Sequence, residues 1–253
     1  MNWGAVVLAG GTVDPVLAEV LGTDRKALAM CEGRSCLART LAAVRDAGIK
    51  HSVAVGPEEV QSEVHFGDWV AEGSRQMVNA RKGVDHFAGV DELLFLPSDS
   101  PLLSGDGLRH FLSAVERRRT RDRWLAAGVC PAAVFESEFP EVPTQAVRIR
   151  EGRFVSGAYY AASRDAFFGA MDIVAVMAES RKSQFGMLRR LGLGTLLKAV
   201  TGRLRLAEGE ARVSQLMGAE AFAILDCDAA AMVDIDTPED WRAVQAIFAR
   251  RGA

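Results

Sequence analysis

Three groups of residues in this sequence have the types and spacing to do chemistry. The first is Leu8-Ala9-Gly10-Gly11 together with Lys26. Two glycines directly after an apolar run let backbone N–H groups approach phosphate or base edges closely. A lysine further along the same loop supplies a mobile cation for phosphate oxygens. The same residues also serve a plain tight turn and a surface lysine. No Gly-Lys-Ser/Thr follows, so this is not a P-loop, and the glycine spacing is not that of a dinucleotide fold. The second group is Leu96-Pro97-Ser98-Asp99-Ser100-Pro101, which sets one carboxylate between two prolines at the end of an apolar strand. Mg²⁺ takes one or two such carboxylates plus substrate phosphates in preference to a full protein cage. The competing role for Asp99 is an Asx hydrogen bond within a turn. The third group is Val233-Asp234-Ile235-Asp236-Thr237-Pro238-Glu239-Asp240. Strand alternation would put Asp234 and Asp236 on one face, where they complete a metal site with Asp99. Otherwise they are solvated carboxylates ahead of a helix cap.

The elements that must position these groups follow from periodicity. Gly4–Ala9, His51–Val55 and Glu92–Leu96 are short apolar runs closed by glycine or proline, as in strands buried on both faces. Gly10 to Arg34 has no clear period and reads as a long loop, a length usually reserved for function. Ser35–Ala47 is an amphipathic helix stopped by Gly48. Ser74–Phe87, with Ser74 as its cap, and Leu108–Arg119 are further helices. Strand, loop, helix, strand, helix, strand, helix argues a right-handed parallel layer with ligands at the carboxyl ends of its strands. Later strands are expected at Trp124–Val129, Ala146–Ile149, Phe154–Ala161, Ala221–Leu225 and Met232–Ile235. Asp165–Glu179 and Gln184–Ala199 read as helices. Thr237–Arg250 is a terminal helix with Pro238 at its first position and Glu239 and Asp240 facing the positive end of its dipole.

Bulk properties narrow the class. The chain has 253 residues, a formal net charge of −3 and a pI near 5.9. Its only basic cluster, Arg117–Arg123, reads as a solvated helix end, so nucleic acid is not an expected partner. Cys31, Cys36, Cys130 and Cys227 form no CxxC pair, which argues reduced thiols over zinc or a disulfide framework. No apolar stretch reaches the roughly 18 residues of a membrane span. The N-terminal apolar run is too short for a signal segment. A cytoplasmic protein of one domain over residues 1–253 is the expectation.

Taken in order, Val6 to Gly11, Lys26-Ala27-Leu28, Leu96 to Leu102 and Asp234 to Asp240 resemble the MobA-like NTP transferase family, whose members guanylylate or cytidylylate cofactors, sugars and alcohols. The resemblance implies a three-layer α/β/α fold, Rossmann-like, with a mixed, mainly parallel sheet. It implies attack of a small-molecule acceptor on the α-phosphorus of a Mg²⁺-bound NTP, with pyrophosphate released. By motif, Leu8, Ala9, Gly10 and Gly11 would contact the nucleotide, and Lys26 would meet its phosphates. Gly73, Ser74 and Asn79, with Gly83 beyond, would meet base and ribose. Asp99 and Asp236 would hold Mg²⁺, with Asp234 as a further ligand or support, and Lys26 and Asp99 would be the catalytic groups. Phe154–Tyr160 falls where such enzymes present the acceptor.

One departure stands out. Family members commonly follow LAGG with x-G-x-R, whose arginine grips the triphosphate. Here Gly11 is followed by Thr12-Val13-Asp14-Pro15, so either Arg25 or Arg34 substitutes or the triphosphate is held weakly. The altered loop occurs in a subgroup that also carries a segment similar to Gly202–Gly218. Two other readings compete: a nucleotide-sugar glycosyltransferase, and a nucleotide-binding protein without turnover.

Overall fold

The computed structural model describes residues 2–171 and 193–252. One sheet runs through it in the order β10-β7-β9-β6-β1-β4-β5, with β8 added on β9. Four of its strands are parallel neighbours: β5 (Asp68–Ala71), β4 (His51–Gly56), β1 (Trp3–Leu8) and β6 (Glu92–Pro97). Beyond β6 the sheet changes direction. β9 (Gly152–Ser163) is antiparallel to both β6 and β7 (Trp124–Pro131), and β10 (Glu220–Ile224) is parallel to β7. β8 (Ala146–Ile149) forms a hairpin with β9. The expected mixed, mainly parallel sheet between helices is therefore the observed fold.

β1 explains the centre of the sheet. Ala5, Val6 and Val7 are fully buried, and their alternation feeds two different cores. Val7 joins the larger core with Leu37, Leu41, Phe111 and Trp124. Val6 joins a smaller one with Val53, Val84 and Leu93. On this second face α3 (Gln76–His86) packs so closely that a Cβ at Gly83 would lie 2.4 Å from Val6 Cγ1. Glycine there lets the helix approach the strand.

α2 (Cys36–Asp46) starts at Ser35, whose hydroxyl accepts from Ala38 N at 3.1 Å. α4 (Gly105–Arg118) starts at Ser104 in the same way, accepting from Gly107 N at 3.0 Å. Both satisfy an orphan donor of the first turn.

Three local expectations are corrected. The loop from Gly10 to Arg34 contains α1 (Pro15–Leu21), a 3₁₀ turn at Lys26–Leu28, and a ribbon of β2 (Met30–Cys31) with β3 (Arg34–Ser35). Asp14 caps α1 by accepting from Val16 N and Leu17 N, and Pro15 takes its first position. Ser74 is not the cap of α3. It is exposed, and Arg75 holds the cap position without a side-chain hydrogen bond to the first turn. Met232–Ile235 is not a strand. Asp228 Oδ1 accepts from Ala230 N at 3.0 Å and folds Ala229–Met232 into a 3₁₀ turn, so Asp234 and Asp236 follow on irregular chain. β5 and α5 (Ala132–Glu138) are additional elements.

In the second half, residues 164–171 are helical, and the rest of the helix expected over Asp165–Glu179 lies outside the described residues. So does most of Gln184–Ala199, whose end is α6 (Leu193–Val200). The Gly202–Gly218 segment forms α7 (Leu206–Met217), ended by Gly218 with φ +61°. α8 (Pro238–Gly252) follows Thr237. Among the described residues, no helix is long and apolar enough to cross a membrane.

Candidate active site

Parallel strands end together, so the register of β1 and β6 decides what stands at the carboxyl edge. Leu8 pairs with Pro97, and Ser98 N continues the ladder by donating to Leu8 O at 3.2 Å. On the other side Ala9 N donates to Val55 O at 2.8 Å. Gly10-Gly11 and Asp99 thus emerge from adjacent strands at one edge. Gly11 has φ +91° with open space where a Cβ would point, a conformation that favours glycine.

Lys26 ties the edge together. Its Nζ lies 3.0 Å from Asp99 Oδ2 and also contacts Asp236 Oδ1. Lys26 and Asp99 are largely enclosed, with side chains 25% and 17% exposed, whereas Asp236 is 62% exposed. Burial works against the Lys26 ammonium, but Asp99 and Asp236 outweigh it and hold its pKa above the ordinary lysine value. The backbone at Asp236 is fixed from α8, since Asp240 Oδ2 accepts from Asp236 N at 3.1 Å and from Thr237 N at 2.8 Å. Thr237 Oγ1 accepts in return from Asp240 N at 3.2 Å, a reciprocal cap that aims the 236–237 chain into the helix.

Asp234 stands apart from this pairing. It is half-buried, and burial first, then Asp236 and Asp99, push its carboxyl up to about 6. Among the described residues, no three His, Cys, Asp or Glu side chains are arranged to hold one metal ion. Asp99 and Asp236 converge on a single cationic point, now the Lys26 ammonium, while Asp234 meets them only through their shared field. The donor chemistry of the first two is that of a hard divalent cation with its remaining positions left to water and phosphate. The strand expected to align Asp234 with Asp236 is absent, since Ala229–Met232 is a 3₁₀ turn and irregular chain follows it.

The flank of the edge beside Gly10 is built on β5 and α3. Asn79 is buried, and its Oδ1 accepts from Gly73 N at 2.6 Å. Its amide nitrogen lies beside Gly10, 3.3 Å from where a Cβ there would stand. Lys82 Nζ donates to Ala71 O at 2.9 Å and closes the same turn. Sequence reasoning missed Glu72. Glu72 N donates to Gly56 O at 3.0 Å, and its carboxylate overhangs Gly10 so closely that a Cβ there would lie 2.0 Å from Oε2. The available signal was the short apolar run Trp69–Ala71 between Gly67 and Gly73, which fits a short strand ending beside Glu72.

The two candidate arginines separate. Arg25 Nη1 donates to Gly11 O at 3.2 Å and lies 3.7 Å from Glu72 Oε1, so its guanidinium lies beside the Gly10-Gly11 turn. Arg34 is exposed in β3 and lines a cleft of about 310 Å³ with Ala38, Leu41, Arg45 and Glu63. None of those residues belongs to the Lys26 group. Phe154 and Val155, of the segment expected to present the acceptor, lie at the same edge as Asp99, because β9 runs antiparallel and pairs them with Pro131 and Cys130 at the end of β7. Tyr159 is buried, and Tyr160 is about half exposed.

Glycines and a carboxylate at the carboxyl edge of a parallel layer, with antiparallel strands added beyond it, make this an α/β nucleotidyltransferase fold. The family model for the MobA-like NTP transferase domain matches residues 5–142. The chain belongs to that family, and it is an enzyme of the nucleotidyltransferase class. It is similar over 95% of its length to 99% of a hypothetical transferase from Thermus thermophilus, at 29% identity and a TM-score of 0.84. CMP:2-keto-3-deoxy-manno-octonic acid synthetase complexed with CTP shares the fold at 15% identity and a TM-score of 0.62, over 99% of this chain and 100% of that one. A Mycobacterium tuberculosis protein in complex with manganese does so at 16% identity and a TM-score of 0.52, over 97% and 99%. No curated protein sequence matches the chain.

Proposed function

We propose that this enzyme moves a nucleoside monophosphate from an NTP to a phosphorylated or hydroxylated small-molecule acceptor and releases pyrophosphate. The observation that carries the reading is the junction of Lys26, Asp99 and Asp236 at the edge where Gly10-Gly11 leaves β1. The Gly10-Gly11 backbone takes the nucleotide, with Asn79 and Glu72 on its base and ribose side. Leu8 and Ala9 form the floor, and Gly73 and Ser74 the rim. Arg25 turns from Gly11 O to the triphosphate, because a polyanionic tail is held best by a guanidinium. Lys26 leaves its carboxylates for the phosphates and neutralises charge that develops on the departing pyrophosphate.

Asp99 and Asp236 would hold Mg²⁺, with Asp234 as a further ligand or support, and the ion would supply positive charge to the α-phosphate oxygens. The CTP of one structural relative and the manganese of another agree with this assignment of ligand classes. The acceptor enters along the start of β9, at Phe154–Tyr160. No nucleic acid or membrane takes part, and the reaction is cytoplasmic.

The test is pyrophosphate release from each of the four common NTPs with Mg²⁺ and pooled sugar phosphates, alcohols and cofactor precursors, with Lys26→Ala as control. A thermal shift with NTP alone gives a second reading, since a ligand of the native state raises the melting temperature. No shift with any NTP, together with no pyrophosphate, would overturn the proposal.

A further inference from the structure

The loop that carries Lys26 continues into β2 and β3 and then into the first residue of α2, and it brings two cysteines together. Cys31 Sγ and Cys36 Sγ are 3.8 Å apart, and both residues are fully buried free thiols. We propose that this pair is a redox modification site, at which a hydroperoxide converts the two thiols into a reversible Cys31–Cys36 disulfide.

The two sulfurs are already in van der Waals contact, so forming the bond needs a small approach and no refolding of either element. Their environments also divide the work. The hydrogen bond from Cys36 lowers the Cys31 thiol below its ordinary range against the opposing effect of burial, and the Arg39 guanidinium adds to the lowering. Arg39 is held there by donating to Cys31 O from Nε at 2.9 Å and also from Nη2. Cys36 is raised by the same hydrogen bond and by burial, and so keeps its proton. Cys31 is therefore the attacking thiolate and Cys36 the resolving thiol.

The other two cysteines make a contrast within the same molecule. Cys130 Sγ donates to Pro131 O at 3.5 Å and Cys227 Sγ to Ile224 O at 3.4 Å, each tied to a carbonyl. Burial raises both thiols to about 11.

The chemistry balances with peroxide as the two-electron oxidant. The Cys31 thiolate attacks one peroxide oxygen, the O–O bond breaks, and the departing hydroxide takes a proton to become water. This leaves a sulfenic acid on Cys31. The Cys36 sulfur then attacks the Cys31 sulfur, the S–O bond breaks, and the leaving hydroxide takes the Cys36 proton. Two thiols and one hydrogen peroxide become one disulfide and two waters.

Entry follows from the local fold. β2 and β3 are two residues each, and the Glu32–Gly33 turn between them is exposed. A ribbon this small opens locally without global unfolding. The inference does not depend on the proposed reaction, since its readout is the state of the thiols.

The test exposes the intact folded protein to hydrogen peroxide and then counts thiols and maps peptides. Titratable thiols are expected to fall from four to two. A cross-linked peptide should join Cys31 to Cys36, and dithiothreitol should restore all four. A Cys130→Ser/Cys227→Ser double variant is expected to form the same cross-link. Cys36→Ser is expected to form none and to leave a Cys31 sulfenic acid that dimedone traps. Retention of all four thiols in the native wild-type protein, or a cross-link that joins Cys130 to Cys227 instead, would overturn the proposal.

Discussion

The two sides of the sheet solve different problems. On one side β5, β4, β1 and β6 run parallel, and their carboxyl ends deliver Glu72, Gly10-Gly11 and Asp99 to one edge. On the other, β9 reverses direction between β6 and β7, so the start of this long strand stands among the carboxyl ends of its neighbours. The family match stops at residue 142, just before β8 and β9 begin. A parallel layer binds at its edge whatever triphosphate chemistry shares, so its form is held by the common ligand. In the proposed reaction the antiparallel side would meet the variable partner. Asp236 is the exception, because it comes from the chain after β10 and still reaches Lys26.

That division predicts graded losses. The largest effect is expected at Asp99, which is enclosed and belongs to the parallel side. Asp99→Asn should lower turnover by about 10³-fold, and Asp236→Asn, at the exposed position, by less, on the order of 10²-fold. Pyrophosphate release against Mg²⁺ concentration measures both, and equal losses would erase the contrast between the two carboxylates. Lys26→Ala should cost about 10²-fold in turnover with a smaller change in NTP affinity. Single-turnover kinetics at saturating NTP check this.

Arg25→Ala is next, with NTP affinity expected to weaken about tenfold, the weight of one charge-assisted contact. Arg34→Ala should leave it unchanged, and calorimetric titration of the two variants decides between the arginines. On the antiparallel side, Tyr160→Ala should raise the acceptor KM severalfold while NTP binding stays constant. A shift in NTP affinity instead would move Tyr160 to the nucleotide side.

The smallest effect concerns stability. Asp234 is raised from 3.8 to about 6 on folding, so the folded state holds its proton more tightly than the unfolded one. The stability this confers is full below the unfolded value and is lost as pH rises through about 6. Asp234→Asn should therefore raise the apo melting temperature at pH 8 by a few degrees, on the order of 1–2 kcal/mol, and change it little at pH 3.5. Thermal melts at the two pH values read the difference.

Much of the parallel side is legible in the residues. Val6 and Val7 lie in an unbroken apolar run, Ser35 and Gly48 bracket α2, and prolines frame Asp99. These signals are local, because a strand buried on both faces and a capped helix each declare themselves within about ten residues. Asp14-Pro15 declared α1 just as clearly, but a helix of one or two turns has too few apolar positions to show a period. Sequence also supplied the identities of Lys26, Asp99 and Asp236, three residues spread over most of the chain. It did not supply their junction, since that rests on the register of β1 with β6, the 3₁₀ turn at Lys26 and the reciprocal cap of α8. The tertiary structure alone decided that Glu72 overhangs Gly10, that Arg25 and not Arg34 lies beside the glycines, and that Asp234 leaves the pair. Each of these depends on how distant segments meet, and the spacing of residues along one segment carries no record of that.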